Sequence, residues 1–118
     1  MNIEDVRYYA LSLPEVTEDM FAEEWLSFRI AGKWFLLIQL DAPEPRVAVK
    51  LPPEQGAALR EAYRGICPAY HMNKKHWSDL YLEQLDDDIV RRLIQDSYRL
   101  VVSRLPKAVR ERLSAPSV

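Results

Sequence analysis

The segment CPAYHMNKKHWSDLYL, residues 67–82, concentrates most of the side chains in this sequence that could do chemistry. It holds the single cysteine, both histidines, three aromatic residues and a Lys-Lys pair. Such a set could belong to a metal site, a nucleophilic centre or a nucleic-acid contact. Spacing and surroundings are the observations that separate these three.

A metal site is the first alternative. His71 and His76 are five residues apart, within the range of paired zinc ligands, but Cys67 has no second cysteine and no HExxH pattern occurs. Odd and even positions of an extended segment face opposite sides, so the two histidines diverge unless residues 73–75 turn. We therefore expect no metal site here and no cofactor.

A catalytic centre is the second alternative. A nucleophilic cysteine needs a nearby cation or helix N-terminus to favour its thiolate, and neither is evident beside Cys67, which is predicted to be a small core residue. The sequence contains no P-loop, dinucleotide fingerprint or Gly-x-Ser-x-Gly motif, and its three glycines are too few for a glycine-rich phosphate loop. These features predict that the protein is not an enzyme.

A nucleic-acid contact is the third alternative. Asn73, Lys74 and Lys75 could reach phosphates, while His76 or Trp77 could stack on a base or wedge beside a sugar. Further cations lie on the outward faces of the predicted strands: Arg29, Lys33, Arg46 and Lys50. The alternative is structural, with Trp77 packed against the C-terminal helix and the lysines solvating a turn.

Length and composition indicate a soluble single domain over residues 1–118, with 48% hydrophobic and 29% charged residues. No apolar run approaches the roughly 20 residues that span a bilayer, and the acidic start does not resemble a secretory signal. With one cysteine, the chain is expected to be cytoplasmic and to have no membrane partner. The net charge of −2 argues against a dedicated nucleic-acid binder, although acids collect in residues 1–24 and bases in residues 91–118.

The first half of the chain predicts a helix followed by strands. Asn2 can cap the helix and Pro14 stops it, after which residues 15–24 read as a polar connection. Gly32 is suited to a tight turn between strands. Three strands are predicted, over residues 25–30, 34–40 and 46–51.

The second half predicts a helix from Pro52 to a C-cap at Gly65, extended segments on either side of residues 73–77, and a long helix capped by Asp86. Residues 106–118 are predicted to form a short helix and a frayed tail. The buried seam of the long helix is predicted at Val90, Leu93, Ile94, Ser97, Val101 and Leu105. The fold class is therefore α+β, an antiparallel sheet with the N- and C-terminal helices packed on one face.

Residues 71–101, HMNKKHWSDLYLEQLDDDIVRRLIQDSYRLV, closely resemble the signature region of the MmcQ/YjbR-like proteins. The shared pattern is a His/Asn-containing turn leading to a Trp, a strand, an acidic helix cap and a helix with Asp-Ser-Tyr and Leu-Val. The upstream sequences LPEVTED and GKWF also fit, so the resemblance covers roughly residues 2–105. The matching positions in the signature are Asn73, Lys74, His76, Trp77, Asp96, Ser97, Tyr98, Leu100 and Val101.

The resemblance implies a CyaY-like α+β fold, described as a double wing and usually labelled DNA-binding, although fold alone is a poor guide to function. Asp96, Ser97 and Tyr98 are expected to support the turn at residues 73–77 by hydrogen bonds. We expect DNA as the partner, bound by the basic sheet face and this turn. The predicted contact residues are Arg29, Lys33, Arg46, Lys50, Asn73, Lys74, Lys75, His76 and Trp77.

Two other functions remain open. The flat sheet face could dock a protein partner instead of DNA. The fold resemblance to the frataxin/CyaY group also suggests weak binding of a hard cation by carboxylates near the N-terminus. The acidic residues concerned are Glu15, Glu18, Asp19, Glu23 and Glu24.

Overall fold

A computed structural model describes residues 1–114, which form six strands and four helices. The last four residues of the predicted frayed tail, 115–118, lie outside the described residues. A single turn of 3₁₀ helix, Leu82–Gln84, follows the last strand. The elements in chain order are α1 (Ile3–Ser12), β1 (Val16–Ala22), β2 (Trp25–Ile30), β3 (Lys33–Gln39), β4 (Arg46–Lys50), α2 (Pro53–Ala62), β5 (Ile66–Pro68), β6 (Trp77–Tyr81), α3 (Asp87–Ser103) and α4 (Lys107–Ser114).

The six strands form one antiparallel sheet in the order β1-β2-β3-β4-β6-β5. Helices α1 and α3 cover one face of it, and the main core lies between them and the sheet. Alternation along β2 points Leu26, Phe28 and Ile30 into this core. The predicted α+β class, with the helices on one face, is confirmed.

Helix α3 is positioned by the apolar seam that its sequence predicts. All six predicted seam residues are buried.

The predicted helix caps have different outcomes. Asn2 caps α1 through a reciprocal capping box, in which its side chain accepts from the Asp5 N–H at 2.8 Å. Asp86 occupies the N-cap of α3, but within residues 1–114 its side chain makes no capping hydrogen bond.

Two local predictions are corrected. The polar connection at residues 15–24 is largely strand β1, an edge strand whose exposure hides the usual alternation. Gly65 is not a left-handed C-cap, since α2 already ends at Ala62. It is a site of close approach, where a Cβ would lie 2.9 Å from Cβ of Gln84. Gly32, in contrast, takes the positive φ of 79° that its predicted turn requires.

The other face of the sheet is covered by the segment between β5 and β6, residues 69–76, of which the part before the turn was predicted to be extended. Ala69 from this segment packs with Leu37, Ala48 and Trp77 in a second buried cluster, and Met72 packs against it. Trp77 therefore belongs to this second cluster on the face away from the main core. The centre of this face is closed by the chain itself.

One side chain on α3 repairs a break in the sheet. A bulge between β2 and β3 makes Phe35 the extra residue, and the β3–β4 ladder stops at the pair Leu36 and Val49. The Ser97 hydroxyl donates to the Phe35 carbonyl at 2.5 Å and accepts from the Lys50 N–H at 2.9 Å. It thus joins the two backbone groups that the ladder leaves unpaired.

Replacing Ser97 with alanine should destabilise the protein by about 1–3 kcal/mol, because a buried carbonyl and a neighbouring N–H lose their partner. Urea unfolding followed by tryptophan fluorescence measures the change. The control is Ser103→Ala near the end of α3, where an exposed hydroxyl bonds only its own helix and the change should stay within about 0.5 kcal/mol. Equal stability of the two variants would contradict the bridging role.

Candidate functional site

A pocket of about 630 Å³ opens at one end of the sheet, where the β2–β3 hairpin, the end of β4, the start of β6 and the C-terminus of α3 meet. Its cations are Arg29, Lys33, Lys50 and Arg104, and its apolar wall is formed by Trp34, Trp77, Val101 and Leu105. Three of these cations and one tryptophan were predicted as contact residues. The fold brings them together from four separate elements.

Local backbone geometry positions the pocket residues. Arg29 and Trp34 are paired across the β2–β3 hairpin beside the bulge, so both side chains emerge on the same face. The tight turn with Gly32 at positive φ places Lys33 at the pocket mouth. The Ser97 bridge fixes the end of β4 that carries Lys50, and Arg104 is the C-cap residue of α3.

The electrostatics of the pocket are uniformly positive. No carboxylate lines it, and within residues 1–114 none of its four cations forms an ion pair. Burial, followed by repulsion from Arg104 and Lys33, lowers the pKa of the Lys50 ammonium below its ordinary value of 10.5. The pocket is therefore a concentration of positive charge in a chain whose net charge is −2.

The Arg29 side chain is held in place but is not fully hydrogen-bonded. Its guanidinium carbon lies 5.6 Å from the centroid of the Trp34 ring, a cation–π contact. Within the part of the chain that the structure describes, its Nε is buried and has no hydrogen-bond partner. A buried N–H of this kind is costly unless an acceptor reaches it.

The two tryptophans of the pocket differ in access. Trp77 is only 7% exposed, so its predicted stacking or wedging role is wrong and it serves as a wall. Trp34 is partly exposed, with the Phe21 ring 4.8 Å from its own. Sequence reasoning missed Trp34 as a site residue, although its cross-strand pairing with Arg29 was implicit in the hairpin. Arg104 was missed because only tertiary packing brings the end of α3 to the hairpin.

The turn at residues 73–77 is organised by Asn73. Its side-chain oxygen accepts from the Lys75 N–H at 3.0 Å, and its carbonyl accepts from the N–H groups of His76 and Trp77. Lys74 and Lys75 are exposed, with the Lys74 ammonium 4.8 Å from the centre of the Tyr70 ring. Asn73 thus has a structural role, while the two lysines remain accessible to solvent.

The two histidines have separate surroundings. His71 is exposed and meets the Trp25 ring edge-on, with centroids 6.0 Å apart. His76 is partly buried, and among the described residues its Nδ1 has no hydrogen-bond partner. No group of three His, Cys, Asp or Glu side chains in residues 1–114 could hold a metal ion.

The predicted supports of the turn bond elsewhere. Asp96 accepts from the Gln55 side chain at 2.9 Å, Ser97 forms the bridge described above, and the Tyr98 hydroxyl donates to the Pro14 carbonyl at 2.8 Å. Among the described residues, no side-chain hydrogen bond joins these three to residues 73–77. Their role is structural, as predicted, but their partners are not in the turn. They connect α3 to α2, to the sheet and to the segment between α1 and β1.

The predicted basic sheet face is not continuous, because Arg46 is separated from the other three cations on it. It lies at the opposite end of β4 from Lys50, about 13 Å away along the strand. Its guanidinium donates to the Gln39 side chain at 2.7 Å and lies 3.9 Å from the Asp79 carboxylate. Arg46 is thus already engaged within the fold.

The predicted acidic cluster near the N-terminus is also dispersed. Glu15 forms a bidentate ion pair with Arg112 on α4, and Glu18 forms one with Arg7 on α1. These two carboxylates hold helices and are not gathered at a common point. Separately, none of the helices in residues 1–114 has the length and apolar character needed to cross a membrane.

Among the described acidic residues, Asp79 has the most strongly shifted pKa. It is buried on the face covered by residues 69–76, and burial raises the pKa of its carboxyl from the ordinary 3.8 to about 6, against smaller opposing effects of Arg46 and His71. Ionisation of this carboxyl therefore costs more free energy in the folded chain than in the unfolded chain.

Fold and site together define an α+β protein with a cationic pocket at one end of a six-stranded antiparallel sheet. Residues 11–100 match the family model described as YjbR, and the chain belongs to that family. This confirms the resemblance carried by residues 71–101.

Relatives from several bacteria support the assignment. The chain is 37% identical to YbdF of Escherichia coli O157:H7, over 93% of this chain and 92% of the relative. It is 28% identical to YjbR of Escherichia coli K12, over 96% and 98% respectively. The crystal structure of Deinococcus radiodurans DR2400, of domain family DUF419, superposes with a TM-score of 0.88 at 30% identity, covering 98% of this chain and 89% of that chain.

The raised pKa of Asp79 predicts a loss of stability as pH rises. The folded state holds the proton more tightly than the unfolded state, so the free energy of unfolding should fall between about pH 4 and 6, by at most about 3 kcal/mol. In Asp79→Asn, whose amide resembles the protonated acid, this decline should be smaller. Urea midpoints at pH 4.5, 6 and 7.5 measure it.

The matched control for this measurement is Asp41→Asn, which changes an exposed acid in the turn before β4. Its urea midpoints should follow those of the unmodified protein at every pH. Parallel curves for Asp79→Asn and the unmodified protein would show that Asp79 ionises in the fold without penalty.

Proposed function

We propose that the protein binds DNA, without a catalytic step, through phosphate contacts in the cationic pocket. The observation that carries the proposal is the convergence of Arg29, Lys33, Lys50 and Arg104 in one pocket lined by no carboxylate. The family that the sequence resembles is usually labelled DNA-binding, which supports the same function. The single cysteine suits the cytoplasmic location that a DNA-binding protein would need.

Charge balance favours an anionic ligand at this position. The C-terminus of α3 contributes roughly half a negative charge, far less than four cations. Its carbonyls are also partly occupied, since Val101 and Val102 accept from the N–H groups of Arg104 and Leu105. A phosphate in the pocket would relieve the repulsion that acts on Lys50 and could pair with the exposed side chains of Lys33 and Arg104.

A pocket variant and a charge-matched control test this proposal by fluorescence anisotropy, with a labelled DNA strand at about 50 and 200 mM salt. Lys33→Ala with Arg104→Ala removes two exposed pocket charges and should weaken binding about tenfold and lower the salt slope by about two. Lys107→Ala with Arg110→Ala removes two exposed charges from α4, outside the pocket, and should change affinity less than twofold. Equal losses of affinity in both variants would mean that DNA binding depends on the overall charge of the protein and not on the pocket.

The turn lysines provide a further prediction. Lys74→Ala with Lys75→Ala should weaken binding by only a few fold, because both side chains are solvated and Lys74 already contacts Tyr70. The same anisotropy titration compares this variant with the pocket variant. A larger loss for the turn variant would move the main contact from the pocket to the turn.

A second candidate function is protein docking at edge strand β1. Met20 and Phe21 on this strand are exposed, and edge strands offer unpaired backbone groups to a partner. Such binding would be insensitive to salt and weakened by Met20→Ser. Phosphate binding at the pocket would weaken with salt and be unchanged by Met20→Ser.

A further inference from the structure

We propose that the cationic pocket is built for a terminal phosphate, a phosphate monoester carried on a nucleotide, and that it discriminates against the internal phosphodiesters of a strand. This inference rests on the proposed function because it specifies which phosphate the same pocket takes. The ligand could come from the end of a DNA strand or from a free nucleotide, which share this chemistry.

The charge of the pocket matches a monoester better than a diester. An internal phosphodiester carries one negative charge, whereas a phosphate monoester carries about 1.5 to 2 near pH 7 and presents three acceptor oxygens. Four cations without a lining carboxylate leave a large positive excess over a single negative charge. The like-charge repulsion on Lys50 from Arg104 and Lys33 is relieved more fully by the dianion.

Shape gives a second, independent reason. A volume of about 630 Å³ is that of a site for one small ligand, within the usual range of roughly 300 to 1,000 Å³. An internal phosphate must enter such a concavity with a sugar on each side, but a terminal phosphate enters with one. Arg29 lines the concavity with its guanidinium over the Trp34 ring, so a group that inserts end-on meets this cation on one side of the pocket.

The apolar side of the pocket indicates how the nucleotide would lie. Trp34 is partly exposed, whereas Trp77, Val101 and Leu105 are buried and form the wall behind it. An exposed indole accepts the face of any base. We therefore expect weak base preference and a strong preference for the phosphorylated end.

The test compares single strands of ten nucleotides that differ only in carrying a 5′-phosphate, a 3′-phosphate or hydroxyls at both ends. Anisotropy with a label at the opposite end, in a buffer free of phosphate, gives each affinity. Calorimetry with adenosine monophosphate and with adenosine tests the free nucleotide. We expect at least one phosphorylated strand to bind about tenfold or more tightly than the hydroxyl strand, and the monophosphate to bind where adenosine does not.

The variants identify the site. The preference should disappear in Lys33→Ala with Arg104→Ala and persist in Lys107→Ala with Arg110→Ala. Unfolding curves should show that the pocket variant is no less stable than the unmodified protein. Equal affinity of all three strands overturns the terminal-phosphate inference and leaves DNA binding standing. Binding of the monophosphate without binding of any strand overturns DNA binding and supports a free nucleotide as the ligand. If neither binds, both proposals are wrong.

Discussion

The hydroxyl of Ser97 is the interaction on which the geometry of the pocket depends. The β3–β4 ladder stops one residue before the bulge, and this hydroxyl joins the Phe35 carbonyl to the Lys50 N–H across the gap. The bond also fixes α3 against the sheet, and Arg104 lies two turns further along the same helix. This one side chain therefore sets the relative positions of the end of β4, the β2–β3 hairpin and the C-terminus of α3.

This arrangement gathers like charges that the rest of the fold must hold together. Repulsion among the cations opposes folding, and the apolar contacts of Val101 and Leu105 with the core offset it on the α3 side. On the sheet side, the Arg29 guanidinium lies over the Trp34 ring, a favourable cation–π contact. Some arginines elsewhere are in a different situation: Arg7, Arg46 and Arg112 are each paired with a carboxylate. The pocket differs from these because four cations meet in one concavity that no carboxylate lines.

The sequence predicted those features that depend on local periodicity. The buried seam of α3, the alternation of residues 25–30 and the turn at Gly32 all follow from residue type and spacing. Strand β1 was missed because an edge strand with one solvated face has little apolar signal. Asp96, Ser97 and Tyr98 were correctly expected to be structural, but with the wrong partners, which lie 41 to 84 residues away in sequence. Tertiary packing decides long-range partners of this kind, and local sequence patterns do not show them. The pocket could not be predicted for the same reason, because Arg104 reaches it only when α3 packs on the sheet.

Closure of the second sheet face explains why the proposed binding site lies at the end of the sheet. Leu37, Ala48 and Trp77 are buried there by residues 69–76, so a ligand laid across the strands would touch only the rim. The acids of residues 1–24 lower the net charge, but in physiological salt charges are screened beyond roughly 8 Å. A phosphate inside the pocket therefore responds to the four cations that line it much more than to the net charge of −2. An acidic chain can in this way hold a cationic site, and global charge is a weak argument against phosphate binding.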